Sequence, residues 1–145
     1  MGSIMPIRPM NEADLPNVLA LQNTLGFQKW NEKQFRSELR ASYALCLVYE
    51  DAETFAGYAI FHLMGSDSEL LTIAVDPKFQ RKGIASSLLH EGLDKLNREN
   101  GDHCFLEVRQ GNFGARSLYE KHGFQAYGQR ERYYDDGETA ILYRW

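Results

Sequence analysis

The sequence predicts an α/β (α+β) fold: one mixed, mostly antiparallel central sheet of about seven strands, flanked by four helices. Three observations carry this. Short apolar runs alternate with amphipathic stretches in the order strand, helix, helix, three strands, helix, strand, helix, two strands. Polar turns at Asp51-Ala52-Glu53 and Asp135-Asp136-Gly137 join neighbouring runs into antiparallel hairpins. Elsewhere a long helix separates two runs, as a crossover to a parallel neighbour requires.

Residues 4–8 read as a short first strand. Asn11-Glu12-Ala13-Asp14 supplies an N-cap with acid in the first turn, opening a helix through Val18 and Leu21. A second helix starts near Asn31, with Phe35 and Leu39 at helical spacing. Residues 43–49 and 54–64 form the next two strands. Residues 69–75 form a third, nearly all apolar at its end, as a strand covered on both faces should be. Pro77 ends that strand. The helix after Gly83 carries Ile84, Leu88, Leu89, Leu93 and Leu96 as one stripe and breaks at Asn100-Gly101-Asp102. Residues 104–108 read as a further buried strand. Asn112 caps a shorter helix holding Ala115, Leu118 and Tyr119, which closes at Gly123. Residues 124–134 and 138–145 complete the sheet as a hairpin.

A chain of 145 residues without repeat or linker fits a single domain spanning residues 1–145. Residues 1–4 are expected to be an added leader, with Met5 the natural start. The net charge of −4 argues against a nucleic-acid partner, which calls for a basic face. No apolar run is long enough to cross a bilayer. Only Cys46 and Cys104 are present, which suits a reducing, cytoplasmic location. His62, His90, His103 and His122 have no metal-ligand spacing, so no metal is expected. There is no Gly-x-Ser-x-Gly elbow and no nucleotide P-loop.

The sharpest local signal is Val75-Asp76-Pro77-Lys78-Phe79-Gln80-Arg81-Lys82-Gly83-Ile84-Ala85, which joins a buried strand to an amphipathic helix. Amides at a helix N-terminus lack intrahelical acceptors, and the helix dipole adds positive charge there. Gly83 and Ala85 leave that backbone open, so a pyrophosphate could sit on it, with Arg81 and Lys82 adding charge. Taken alone, the same residues also describe an ordinary strand-to-helix turn.

Gln80-Arg81-Lys82-Gly83-Ile84-Ala85 is similar to the Gln/Arg-x-x-Gly-x-Gly/Ala coenzyme A loop of the GNAT acetyltransferase superfamily, and Ile73-Ala74-Val75-Asp76-Pro77 to the strand before it. Leu106-Glu107-Val108-Arg109, Asn112, Ala115, Leu118-Tyr119-Glu120 and Gly123-Phe124 resemble the next two family segments, in order and at the usual spacing. Within the superfamily the pattern is nearest to bacterial acetyltransferases of ribosomal-protein N-termini, whose likeness extends to Trp30-Asn31-Glu32-Lys33-Gln34-Phe35 and Arg132-Tyr133-Tyr134. Lys29 stands where those enzymes commonly have proline.

A monomer or weak dimer is expected, although the sequence itself does not give the oligomeric state. The resemblance implies an acetyl-CoA-dependent N-acetyltransferase with an N-terminal alanine of a ribosomal protein as acceptor. It implies that Ile73, Ala74 and Val75 hold the pantetheine and acetyl group, the Val75 amide serving as oxyanion donor. Arg81, Lys82, Gly83, Ile84, Ala85 and Ser86 would hold the pyrophosphate, and Asn112 the coenzyme arm. Asn112 also reads as a plain helix cap. Glu107, in a strand that reads as buried, needs a partner. A salt bridge to Arg109 on the same strand face is the plain explanation, and the resemblance implies a general base. Tyr119 fits a core aromatic; the resemblance makes it the general acid for the departing thiolate. Glu69 is the reserve base, and Tyr133 and Tyr134 either line a peptide groove or are merely exposed. Two other readings stay open: an acetyltransferase of a small amine, and a non-catalytic acetyl-CoA sensor.

Overall fold

The structure, a computed structural model, describes residues 6–26 and 30–145. The expected leader, the start of the first expected strand at Ile4 and Met5, and Lys29 lie outside the described residues.

The chain forms β1 (Ile7–Pro9), a single turn at Glu12–Asp14, α1 (Leu15–Leu25) and α2 (Glu32–Arg40). The meander β2 (Ala44–Asp51), β3 (Thr54–His62) and β4 (Asp67–Val75) follows, then α3 (Ile84–Arg98), β5 (His103–Arg109), α4 (Phe113–Lys121), β6 (Gln125–Arg130) and β7 (Ala140–Arg144). The sheet runs β1-β2-β3-β4-β5-β7-β6, and among the described residues only β4 and β5 are parallel.

Local chemistry explains the element ends. Asn11 and Asn31 close capping boxes with Asp14 and Gln34. The β2–β3 turn places Ala52 (φ 51°) and Glu53 (φ 67°) in the left-handed region, which matches the twist of a tight hairpin. Gly123 (φ 94°) ends α4 where a side chain would be strained.

Two clusters form the core. On one face of the sheet, α1 and α2 bury Leu15, Val18, Leu21 and Phe35 against Val48, Tyr58, Ile60 and Ala74. On the other, α3 and α4 bury Leu88, Leu89, Leu96 and Tyr119 against Phe61, Leu70, Leu106 and Tyr143. Each fully buried large apolar side chain contributes about 1.5–3 kcal/mol.

The right-hand part of the sheet corrects one expectation. β5 is buried only through Cys104, Leu106 and Val108, on the α3/α4 face; its other face carries Phe105, Glu107 and Arg109, with Glu107 exposed. The helices α1 and α2 stop at β4, and among the described residues no helix covers that half. The final hairpin is shorter than residues 124–134 and 138–145. Arg132 (φ 53°) and Gly137 (φ 87°) turn the chain, so Tyr133 and Tyr134 leave the sheet in a long connection.

β4 and β5 pair only at Asp67–His103, Ser68–Cys104 and Glu69–Phe105, and beyond these they part. The parting coincides with a bulge. Phe61 pairs with Leu70 and Ile60 with Thr72, so Leu71 is an extra residue on β4. A bulge bends its strand, and here β4 swings away from β5 and splits the sheet.

Candidate active site

The split has donors on its β4 edge. Antiparallel strands alternate between residues that bond the partner and residues that face away. The Asp76 amide donates to the Ala56 carbonyl at 2.8 Å, which sets the phase: Ala74 bonds toward β3, and the N–H groups of Ile73 and Val75 point into the opening. Ala74 itself is buried, its carbonyl packed close to Gly57.

Below the opening lies the β4–α3 loop. Asp76 accepts the Lys78 amide at 2.9 Å and folds the chain into a single turn at Pro77–Phe79. Arg81 (φ 67°) and Gly83 (φ 75°) then take left-handed conformations. Asn31 and Asn112 cap α2 and α4, but no side chain caps α3, so the Ile84, Ala85 and Ser86 amides have no acceptor in the helix. These amides border a pocket of about 170 Å³ lined by Val75, Phe79, Gln80, Arg81, Gly83, Ile84, Ala85, Ser86 and Leu118. Arg81 has no ion-pair partner among the described residues; Lys82 sits 3.3 Å from Asp51 and 5.3 Å above the Phe79 ring. Asn112 does cap α4, its side-chain oxygen accepting from the Ala115 amide at 3.1 Å, which leaves its NH₂ as a spare donor. A larger hollow of about 350 Å³ along α2, between Glu32, Lys33, Arg36, Ser37 and Arg40, contains none of these residues.

Glu107 and Tyr119 lie on opposite faces of β5. Glu107 makes no ion pair with Arg109. The Arg109 guanidinium bonds Asp136 at 2.8 Å and Glu138 at 3.0 Å instead. The Tyr133 phenol lies near Glu107: interaction with that carboxylate first, and then burial, raise its pKa. Glu69, opposite His62 on β3, is on the same side of the sheet. Burial raises its pKa, the neighbouring His62 pulls it back, and the like charge of Glu107 adds to the rise. Tyr119 is buried, its ring 5.8 Å from Phe124 and 6.3 Å from Tyr143. Burial first, then Tyr134 and Cys104, push its phenol well above the ordinary value, so it stays protonated at neutral pH.

The structure thus gathers Val75, Arg81, Gly83, Ile84, Ala85 and Ser86 around one pocket, with Ile73 on the adjoining β4 edge and Glu107 on β5 beyond its last pair with β4; Tyr119 is buried under the sheet and is not among the pocket's lining residues. Lys82 is turned to Asp51. Sequence reasoning missed the pocket walls Phe79 and Leu118 and a Glu38–His62 pair 2.6 Å apart beside Glu69. Phe79 and Leu118 lay inside the motifs already noted; Glu38 and His62 are 24 residues apart and carry no local signal.

A split sheet with an uncapped helix below it is the geometry of an acyl-coenzyme A site, and the chain belongs to the acetyltransferase (GNAT) family, which it matches over residues 14–124. GNAT members use acetyl-CoA, and the chain is an N-acetyltransferase of that class. It is 32% identical over 139 residues to the ribosomal protein bS18-alanine N-acetyltransferase of Escherichia coli K12, covering 94% of this chain and 93% of that one. The crystal structure of the ribosomal-protein-S18-alanine N-acetyltransferase from Escherichia coli superposes with a TM-score of 0.87 over 95% of this chain and 90% of that one. Ard1 from Thermoplasma volcanium, 25% identical, gives a TM-score of 0.89 over 96% and 95%.

Proposed function

We propose that the chain transfers acetyl from acetyl-CoA to the α-amine of an N-terminal alanine on a small-subunit ribosomal protein, by direct attack with both substrates bound. The observation that carries this reading is the β4–β5 split, which joins an open face bearing Glu107 to a helix-covered face bearing Tyr119.

The donor set fits the coenzyme. The free amides of Ile84, Ala85 and Ser86, with Arg81 beside them, suit a pyrophosphate at the positive end of α3. The unpaired N–H groups of Ile73 and Val75 suit an extended amide-bearing arm lying along β4 like an added strand, and the spare NH₂ of Asn112 suits the same arm. When bound, acetyl-CoA supplies an activated thioester. The Val75 amide is aimed to donate to the acyl oxygen as charge develops there. Glu107, exposed on the acceptor side, takes the proton of the incoming ammonium directly or through one water. Tyr119, kept protonated by burial, donates to the sulfur as it leaves.

The α-amine follows from chemistry. Its pKa of about 7.7–8.0 against about 10.4 for lysine makes deprotonation easier by roughly 3.4 kcal/mol at 1.36 kcal/mol per unit. An exposed glutamate suffices as base for the first and is poor for the second. The ribosomal acceptor rests on the 32% identity across nearly the whole of both chains. It is tested by offering a peptide that copies the small-subunit protein's N-terminus, free or blocked at the α-amine, beside spermidine and a lysine peptide. The free α-amine peptide should be acetylated at the highest kcat/KM. Preference for spermidine, or for lysines of the blocked peptide, would reassign the enzyme to small amines or side chains.

A further inference from the structure

Between β6 and β7 the chain makes a long connection that lies outside both hydrophobic cores, yet it carries Tyr133 and Tyr134 to the face of β5 that bears Glu107 and Arg109. Its own backbone bonds close the turn, the Tyr134 amide donating to Glu138 at 3.2 Å and the Gly137 amide to Tyr134 at 2.8 Å, Arg130 lies 5.6 Å from the Tyr133 ring, and one side chain of β5 ties it to the sheet. One terminal nitrogen of Arg109 donates to both Asp136 oxygens, at 3.0 and 2.8 Å, and to Glu138 at 3.0 Å. The guanidinium carbon lies 4.1 Å from the centre of the Tyr134 ring. The other Glu138 oxygen accepts the Gly111 amide at 2.8 Å, and the Glu138 amide donates to Asp136 at 3.0 Å. Tyr134 in turn meets Tyr133 edge to face at 5.1 Å. Arg109 sits two residues beyond Glu107 on the same strand face, so the group that holds the loop and the group the loop serves share one rigid element.

We infer that Arg109 is a positioning residue for the acceptor: it locks the β6–β7 connection onto β5 so that Tyr133 meets Glu107 and walls the acceptor side of the split. The planar guanidinium matters here as well as the charge, because one of its nitrogens bonds a carboxylate pair while its plane meets an aromatic face. Exposed ion pairs add little to global stability, so this lock acts on local order and leaves the folded core unchanged. The inference rests on the proposed acceptor for its kinetic test but not for its structural one.

The kinetic test is a double-mutant cycle on the complete chain with acetyl-CoA and the free α-amine peptide. Arg109→Met should raise the acceptor KM about tenfold, as expected when a positioning wall shifts, with acetyl-CoA affinity unchanged. Arg109→Lys should recover only part of the loss. In a Tyr133→Ala background the same Arg109→Met change should cost less than about twofold, because the residue it acts through is gone. An undiminished tenfold cost in that background overturns the inference. Should Arg109→Met lose global protection, the cycle is repeated with Asp136→Asn and Glu138→Gln, which open the lock from the loop side. Amide hydrogen exchange supplies the structural test: Arg109→Met should speed exchange at Gly111, Tyr134 and Gly137 and leave β5 protected. Unchanged exchange at those amides sinks the lock. Failure to acetylate any α-amine peptide, with the exchange result as expected, sinks the proposed acceptor and leaves the lock standing.

Discussion

Gly83 separates the cost of a backbone conformation from the cost of a lost ligand. Its φ of 75° lies in the left-handed region, and a Cβ built there meets no atom within 4 Å. Gly83→Val therefore strains the backbone without clashing, at about 1–2 kcal/mol. For a chain of this size that lowers Tm by about 3–8 °C. Acetyl-CoA at about 100 times its Kd adds roughly 2.7 kcal/mol to the wild type, worth about 10 °C. The valine side chain fills the space before the Ile84–Ser86 amides, so most of this gain should vanish. Gly83→Ala shares the strain with less bulk and should keep more of the response. The assay is thermal melting with and without acetyl-CoA across a concentration series. A Gly83→Val protein that starts from a lower Tm yet gains the full ligand shift would refute the phosphate cradle at α3 and leave only the strain argument.

Two further outcomes follow from the site and the core. Tyr119→Phe should lower kcat at every pH with acetyl-CoA affinity unchanged, while Glu107→Gln should lose most below about pH 8, where an α-amine is protonated, and less above it; steady-state pH profiles check both, and wild-type rates in the two variants would reduce these residues to structural parts. Burial raises the Cys46 and Cys104 thiols from near 9 to about 12. The native state then keeps protons that the unfolded chain has lost, so their stabilisation is complete below about pH 9 and falls as pH rises toward 12. Urea midpoints between pH 8 and 10 should decline in the wild type and decline less in a Cys46→Ala, Cys104→Ala protein; equal slopes would show that other groups, such as the Tyr58 phenol that burial lifts to about 12, govern the alkaline limb.

Short-range chemistry was legible in the sequence. Asn11 and Asn112 cap where their positions suggested, α2 begins directly after Asn31, and Gly83 falls at the turn into α3 that the motif marked, its left-handed conformation being supplied by the structure. Long-range cover was not. Glu107 alternates with buried neighbours, so the strand pattern alone says only that one face differs from the other. That this face is open depends on α1 and α2 stopping at β4, which no local signal records. The partners of Arg109 lie 27 and 29 residues away, across a connection whose turns rest on the left-handed Arg132 as well as Gly137. The Leu71 bulge is a single extra residue inside an apolar run, where one more apolar side chain leaves the pattern unbroken.

The three ladder pairs at the root of the split also set where it opens, while β4 stays laddered to β3 as far as Val75, so the two strands would turn together. Beyond Asp67–Glu69, β4 runs on to Val75, a span of roughly 20 Å at about 3.3 Å per residue. A rotation of about three degrees at the root moves the far end by about 1 Å, a displacement able to cost on the order of a hundredfold in rate. The fulcrum is the pair Ser68 and Cys104, both almost fully buried. Close-packed interiors pass small volume changes on as strain. The opening proposed to take the thioester is thus gauged in part at its closed end, by two buried side chains.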